Sequence, residues 1–339
     1  MNSNLSISVV IPSYNRTEEL KELLDSILLQ DIFPQEVIVC EDNSPEMDTI
    51  TQIISNYHER FLSNNIKLVY IQNEQNLGYD KNLRKCIESS NCEWAMVMGN
   101  DDLLLPRAIK TAKEFIQKNN TINFISRTFI RFNTSIKNPL GISRISKHDE
   151  IFTTINSKSN IVFRTAGFVG GLIVNVPFAR KNSTEQYDGS LYYQIYLAAM
   201  AYCEDGIGYI SEPIVGGRAD NPPMFGNSHD DKELHVPGSY TAKGRAAMWR
   251  GVLQIADSVG KKYNRDLSSS LKRELMVRQS FHVFEMNAGQ SYEVNCALKN
   301  ELNQLGLMSH FIPLMFFSIN CIFQRRARGI YKLARAILQ

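Results

Sequence analysis

Four times in its first 118 residues the chain repeats one pattern, a short apolar run followed by an amphipathic helix. "ISVVIP" (Ile7 to Pro12) leads into "RTEELKELLDSILLQ", where Leu20, Leu23, Leu24, Ile27 and Leu28 recur at i, i+3, i+4, i+7 and i+8 and so share one helix face. Asn15 or Thr17 supplies the cap. "EVIVCED" is apolar on consecutive positions, as a strand covered on both faces requires. Ile50, Ile53, Ile54 and Tyr57 predict a second helix, "IKLVYIQN" a third strand, and Leu83, Cys86 and Ile87 a third helix. "WAMVM" is the fourth strand, and Pro106 opens a helix that turns Ile109, Ala112, Phe115 and Ile116 inward. Such alternation makes a parallel α/β sheet with right-handed crossovers.

In sheets of this kind ligands gather beyond the carboxyl ends of the strands. The unusual polar stretches all fall there: "PSYNR" after the first strand, "EDNSPEMD" after the second, "NEQNLGYDKN" after the third and "GNDD" after the fourth. The last sets Asp101 beside Asp102, and two neighbouring carboxylates repel unless a cation, a basic side chain or solvent attends them. Neither G-x-G-x-x-G after the first strand nor G-x-x-x-x-G-K-[ST] occurs, which argues against a dinucleotide fingerprint and a P-loop.

Beyond residue 120 "INFISRTFIRF" reads as a strand, "GFVGGLIVN" as a Gly-rich strand or turn, and "SLYYQIYLAAMAYCE" as a helix. From "GSYTAKGRAAMWRGVLQ" onward the pattern is mostly helical. With 339 residues, 43% apolar and 21% charged, and a net charge of +2, the chain has material for a large core and no charge excess suited to nucleic acid. Its six cysteines are scattered without C-x-x-C, and no H-E-x-x-H occurs, so buried thiols are expected rather than zinc or disulfides. "MNSNLSISVVIP" has no basic segment followed by a long apolar one, so a cytoplasmic protein is expected.

"VVIPSYNR", "VIVCEDNSPEMDT", "NLGYDKN" and "MGNDDLLLP", in this order on this scaffold, resemble the nucleotide-sugar domain of family 2 glycosyltransferases. Within that family the pattern resembles the enzymes of bacterial O-antigen and capsule repeat units, including the abequosyltransferase-like branch. The resemblance implies an α/β GT-A (Rossmann-like) fold, with a mostly parallel sheet flanked by helices and a mainly helical C-terminal extension. Residues 1–215 would form the catalytic domain, and 216–339 an acceptor or membrane-associated region. It implies an inverting transfer from a nucleoside-diphosphate sugar to a lipid-linked or oligosaccharide acceptor. Pro12, Tyr14 and Arg16 would line the nucleoside pocket, Asp42 would accept from the base, and Gly78, Lys81 and Asn100 would meet the rest of the donor. The family's Asp-x-Asp is degenerate here, with Gly99 in its first position, leaving Asp101 and Asp102 for Mn²⁺ or Mg²⁺. Both ions accept oxygen ligands and keep waters, so one or two carboxylates suffice.

Inversion needs a base for the acceptor hydroxyl. Asp188, before the "LYYQIYLAA" helix, fits the family position; Glu204 and Asp205, after that helix, are the other candidates. Gly170 and Gly171 would leave room for a sugar or serve as a packing turn, and Arg218 resembles an arginine that reaches the diphosphate. The tail carries Arg325, Arg326, Arg328, Lys332 and Arg335 with no acid and with Ile330, Tyr331 and Leu333 between them. That composition suits an anionic membrane surface, at the inner face of the cell membrane, or a contact in a homo-oligomer. A sugar nucleotidyltransferase and a non-catalytic sugar-nucleotide-binding subunit are the rival readings.

Overall fold

A computed structural model describes residues 5–229, 232, 235 and 241–338, with side chains described as far as Ala334. The residues between 236 and 240, where the sequence predicts the start of a helix, and the side chain of Arg335 lie outside the described residues.

The first half follows the expected alternation: β1 (Ile7–Ser13), α1 (Thr17–Leu28), β2 (Glu36–Glu41), α2 (Met47–Leu62), β3 (Lys67–Gln72), α3 (Tyr79–Glu88), β4 (Trp94–Val97), β5 (Leu103–Leu104) and α4 (Ala108–Lys118). Every residue of β2 and of β4 is buried, which is why these strands read as unbroken apolar runs. The predicted helix faces also bury: Leu20, Leu23, Leu24 and Ile27 on α1, and Ile50, Ile53, Ile54 and Tyr57 on α2.

The second half inserts β6 (Phe124–Phe132), β7 (Pro139–Ser143), β8 (Glu150–Phe152), α5 (Asn160–Ala166), β9 (Leu172–Asn175), α6 (Val176–Lys181), α7 (Tyr193–Glu204) and β10 (Ile207–Arg218). All ten strands form one sheet with the path β3-β2-β1-β4-β9-β6-β10-β5, β7 pairing with β6 and β8 with β10. β1, β2, β3 and β4 are parallel, and β10 is parallel to β6. β5, β7, β8 and β9 run against their neighbours. The sheet is therefore mostly parallel, and the Gly-rich "GFVGGLIVN" yields an antiparallel strand wedged between β4 and β6.

The expected boundary at residue 215 falls inside β10, which pairs with β6 as far as Arg218 after an irregularity between Ile210 and Val215. The sheet thus extends to Arg218. Helices follow: α8 (Ala242–Tyr263), α9 (Ser268–Glu274), a π turn (Leu275–Gln279), α10 (Ser280–Met286), α11 (Tyr292–Gln304), α12 (Phe311–Phe323), a 3₁₀ turn (Gln324–Arg326) and α13 (Ala327–Leu338). Trp249, Val252 and Ile255 of α8 and Ile195, Leu197 and Ala199 of α7 are buried in one core, which extends through Leu275, Phe284 and Leu298 to Tyr331.

Candidate active site

Between β1 and β4 the chain changes direction across the sheet, because β2 and β3 lie on one side of β1 and β4 on the other. Loops leaving such a switch point diverge and leave a crevice. Here the crevice is a cavity of about 310 Å³, lined by residues after β1, β2 and β4, by the start of α3, by Phe168 and Val169, and by Arg218 with the segment that follows it.

The turn after β1 is made by Asn15 (φ 55°) and Arg16 (φ 66°), both in the left-handed region that costs a side-chain-bearing residue energy. Asn100 holds the turn by donating its Nδ2 to Asn15 O at 2.9 Å. The turn delivers Arg16 to Asp101: Nη1 donates to Asp101 Oδ2 at 2.6 Å, and Nη2 to Pro222 O at 2.6 Å. Asn221 Nδ2 donates to the same Asp101 oxygen at 2.9 Å. Asp101 is therefore the meeting point of three loops.

The two neighbouring acids have different surroundings. Asp102 is 2% exposed. It accepts the backbone N–H of Arg218 at 3.1 Å on Oδ1, and its other oxygen fills the space beside Gly99 and Gly170. Burial, reinforced by the charge of Asp101, pushes its carboxyl well above the usual carboxylate range. Beneath it lies the buried Arg127, whose guanidinium packs over Phe129 and Phe168 and is lowered to about 9 by the same loss of solvent. Both acids line the cavity, Asp101 at its rim and the more buried Asp102 behind it, so a cation there would have either carboxylate as a ligand. Among the described residues no three His, Cys, Asp or Glu side chains form a ready-made metal cage. A single carboxylate still fits Mn²⁺ or Mg²⁺, which complete their shells with waters and diphosphate oxygens.

Asp42 is 4% exposed and takes three donors: Asn73 Nδ2 (2.8 Å) and Leu77 N (2.8 Å) on Oδ1, and Gly78 N (3.0 Å) on Oδ2. Burial raises its carboxyl, and those bonds pull it back. It fixes the loop after β3 while lining the cavity, which leaves lone-pair capacity on Oδ2 for a ligand N–H. Gly78 (φ 81°) is required twice, by its left-handed conformation and because a Cβ there would lie 2.8 Å from Ser228 Oγ. Pro12 and Tyr14 line the cavity as expected.

Lys81, Asp188, Glu204 and Asp205 lie outside the cavity lining. Lys81 lines a separate groove with Arg84, Lys85 and Glu88. Asp188 is not among the described residues that line the cavity. Arg84 of α3 grips it with two bonds, Nη1 to Oδ1 at 2.6 Å and Nη2 to Oδ2 at 3.0 Å, and Nη1 also reaches Thr184 O at 2.7 Å. Arg218 lines the cavity, but its guanidinium is held by Asp101 O (3.1 Å), Asn133 O (3.1 Å) and Glu22. Glu204 accepts from Tyr263 and Asp205 from Asn123, immediately before β10 and hence at the amino edge of the sheet, opposite the cavity. Gly170 and Gly171 do not make room for a sugar. Their space is taken by Asp102 (2.2 Å from a Cβ at Gly170) and by Val215 (2.4 Å from one at Gly171).

Sequence reasoning missed two clamps on α3. Asp80 accepts Leu191 N (2.8 Å) and Tyr193 N (2.9 Å), and Arg84 one turn later grips Asp188. The i, i+4 spacing of Asp80 and Arg84 was the available signal, but their partners lie more than 100 residues away. Asn221 was equally hidden, since nothing local marks it as a partner of Asp101.

The sequence model for glycosyl transferase family 2 matches residues 8–172, the stretch that supplies β1 to β4 and the loops around Asp42 and Asp101. This chain carries a family 2 glycosyltransferase domain. Abequosyltransferase RfbV of Salmonella typhimurium is 25% identical to the glycosyltransferase over 227 residues, covering 63% of this chain and 67% of that one. Poly(ribitol-phosphate) beta-N-acetylglucosaminyltransferase TarS of Staphylococcus aureus is 28% identical over 120 residues, 34% of this chain and 20% of TarS. The solved structure of S. aureus TarS 1–349 in complex with UDP-GlcNAc superposes with a TM-score of 0.55 at 16% identity, over 97% of this chain and 92% of that one. Mannosyltransferase PcManGT from Pyrobaculum calidifontis, in complex with GDP-Man and Mn²⁺, gives 0.51 at 15% identity, over 98% and 86%. These superpositions establish the GT-A fold for the glycosyltransferase.

Proposed function

We propose that this glycosyltransferase is an inverting enzyme of bacterial surface polysaccharide (O-antigen or capsule) synthesis. It moves a sugar from a nucleoside-diphosphate donor to a lipid-linked or oligosaccharide acceptor at the inner face of the cell membrane. One observation carries the reading: the loops after β1, β2, β3 and β4, with the end of β10, surround a single cavity whose rim is Asp101. The likeness to an abequosyltransferase supports the polysaccharide setting.

The nucleoside lies along Pro12–Tyr14, with its base offered to the free capacity of Asp42. Asp101 holds Mn²⁺ or Mg²⁺, which supplies Lewis-acid stabilisation of the departing diphosphate when bound. Arg16 and Asn221 both bond Asp101 Oδ2, so Oδ1 would be the oxygen offered to such an ion. Arg16 would stand beside the diphosphate as a second source of positive charge, and Asn100 keeps its turn in place. Asp188 takes the proton from the acceptor hydroxyl once Arg84 yields an oxygen, the 3.0 Å contact to Oδ2 being the longer of the two. That engagement of Asp188 favours a second reading, a sugar-nucleotide-binding subunit without chemistry.

Thermal unfolding with UDP, GDP, CDP and dTDP, each with and without MnCl₂, tests the first reading. One nucleotide should raise the melting temperature, further with manganese, by mass action on the folded state. Asp101→Ala should abolish the manganese-dependent part and sugar transfer while leaving the unliganded melt unchanged. No stabilisation by any nucleotide removes the donor site. Transfer in Asp101→Ala at the parent rate removes the metal site. Parent-like binding with no donor turnover under any acceptor condition supports the second reading.

A further inference from the structure

The C-terminal helices leave one surface that the catalytic reading does not use. On α12, Phe311 (68% exposed), Leu314 (41%), Met315 (43%) and Ile322 (72%) point to solvent. Their spacing of i, i+3, i+4 and i+11 places them on one helix face, with only the exposed Ser318 between. The opposite face anchors the helix. Asn320 is 1% exposed and donates to Phe284 O (2.8 Å) and Asn295 Oδ1 (2.9 Å), and Phe316 meets Phe281, Phe284 and Tyr331 edge-on or tilted. The apolar stripe is therefore presented by a fixed helix rather than by a frayed end.

Charge marks what covers it. Exposed Phe323 ends α12, and the exposed Arg325 and Arg326 follow in the next turn. Lys332 and Leu333 are exposed on α13, whereas Arg328 is bonded to Ala288 O at 2.9 Å. No Asp or Glu occurs after Glu301, and Arg325, Arg326 and Lys332 enter no ion pair among the described residues. An apolar stripe bordered by unpaired cations and free of acids is complementary to lipid tails beneath anionic headgroups. A second copy of this face would bring like charges together. α12, at 13 residues, is about 20 Å long against a hydrocarbon core of about 30 Å, so it lies in the interface and does not cross it. No described helix is long and apolar enough to span a membrane.

We propose that α12 and the turn after it form a docking surface for an anionic lipid bilayer. The stripe of Phe311, Leu314, Met315 and Ile322 enters the headgroup region, and Arg325 and Arg326 bind the negative surface. This deepens the membrane-face reading above, but it does not depend on catalysis, because vesicle binding needs no turnover.

The test is cosedimentation of the full chain with vesicles of phosphatidylglycerol and phosphatidylethanolamine, and with phosphatidylcholine alone, at low and high salt. Binding to the anionic vesicles should be strong and weakened by salt, and binding to phosphatidylcholine weak. Arg325→Ala with Arg326→Ala should lower the apparent partition constant on the order of thirtyfold, at the usual strength of basic residues near such a surface. Leu314→Asp with Met315→Asp should remove binding, while circular dichroism and nucleotide-dependent melting stay as in the parent. Equal binding to both vesicle types, or parent-like binding by both double variants, overturns the proposal. So does light scattering that shows a dimer dissolved by Leu314→Asp with Met315→Asp in a chain that ignores vesicles, since the stripe then belongs to a second copy.

Discussion

Arg84 and Asp188 form a two-bond ion pair with both side chains 9% exposed. The pair separates two roles that a single substitution would confuse. Arg84→Met leaves the Asp188 carboxylate without its counter-charge, loses the bond to Thr184 O, and removes the cation 5.6 Å from the Tyr193 ring. Breaking a buried pair from one side costs about 3–5 kcal/mol, because the remaining charge stays desolvated. Asp188→Leu strands Arg84 in the same way, with Thr184 O still available to it, so a value near the lower end is expected. The double variant Arg84→Met/Asp188→Leu leaves no buried charge. It should cost less than the larger single change, giving a coupling of about 3 kcal/mol. Equilibrium urea unfolding of the four proteins measures this cycle, and parallel assays of sugar transfer, well below each melting range, measure activity. Single changes that each cost under about 1 kcal/mol and add simply would refute the buried-pair reasoning, because that is how exposed pairs behave. If the double variant regains both stability and transfer, Asp188 is a positioning residue and not the base. Restored stability with no transfer supports the proton-accepting role.

Two further outcomes follow from burial. Asp80 titrates near 7 instead of its ordinary 3.8, because loss of solvent outweighs its bonds to Tyr193 N and Leu191 N. The folded chain therefore holds this proton more tightly than the unfolded one, and stability falls as pH rises from about 4 to about 7, by up to about 4 kcal/mol. The melting temperature of the parent should drop relative to Asp80→Asn across that window, and parallel curves would show that Asp80 is ionised throughout. Gly170→Ala places a Cβ 2.2 Å from Asp102 Oδ2, so Asp102 and its bond to Arg218 N must move. Transfer should fall at least tenfold, about 1.4 kcal/mol in the barrier, with nucleotide-induced stabilisation retained. An unchanged rate would mean that Asp102 does not hold the geometry of Asp101.

What could be read from the chain, and what could not, divides by range. Leu20 to Leu28 and Ile50 to Tyr57 announced their helices because the periodicity is local and the buried faces are those positions. "EVIVCE" announced a strand because nothing polar interrupts it. Asp42 and Asp101 line one cavity because strand ends in a parallel sheet share one edge, so topology alone brings them together. The wedge of β9 between β4 and β6 was not legible: "GFVGGLIVN" left strand and turn both open, and its pairing with residues near 95 and 125 is decided by tertiary contacts. The partner of Asp188 was hidden for the same reason. Arg84 is 104 residues away and, by sequence, is one basic residue on an amphipathic helix. The difference between Asp101 and Asp102 was not legible either, since two adjacent acids look equivalent until burial separates them.

One face of α3 borders the cavity through Tyr79 and Asn82, and Asp80 and Arg84 on the same helix fasten the segment from Thr184 to Tyr193. In the proposed reaction, grip on the leaving nucleotide and aim of the incoming hydroxyl would thereby be mounted on a common rod. Substitutions that tilt it should change donor affinity and turnover in concert, and tuning either one alone will require positions off that helix.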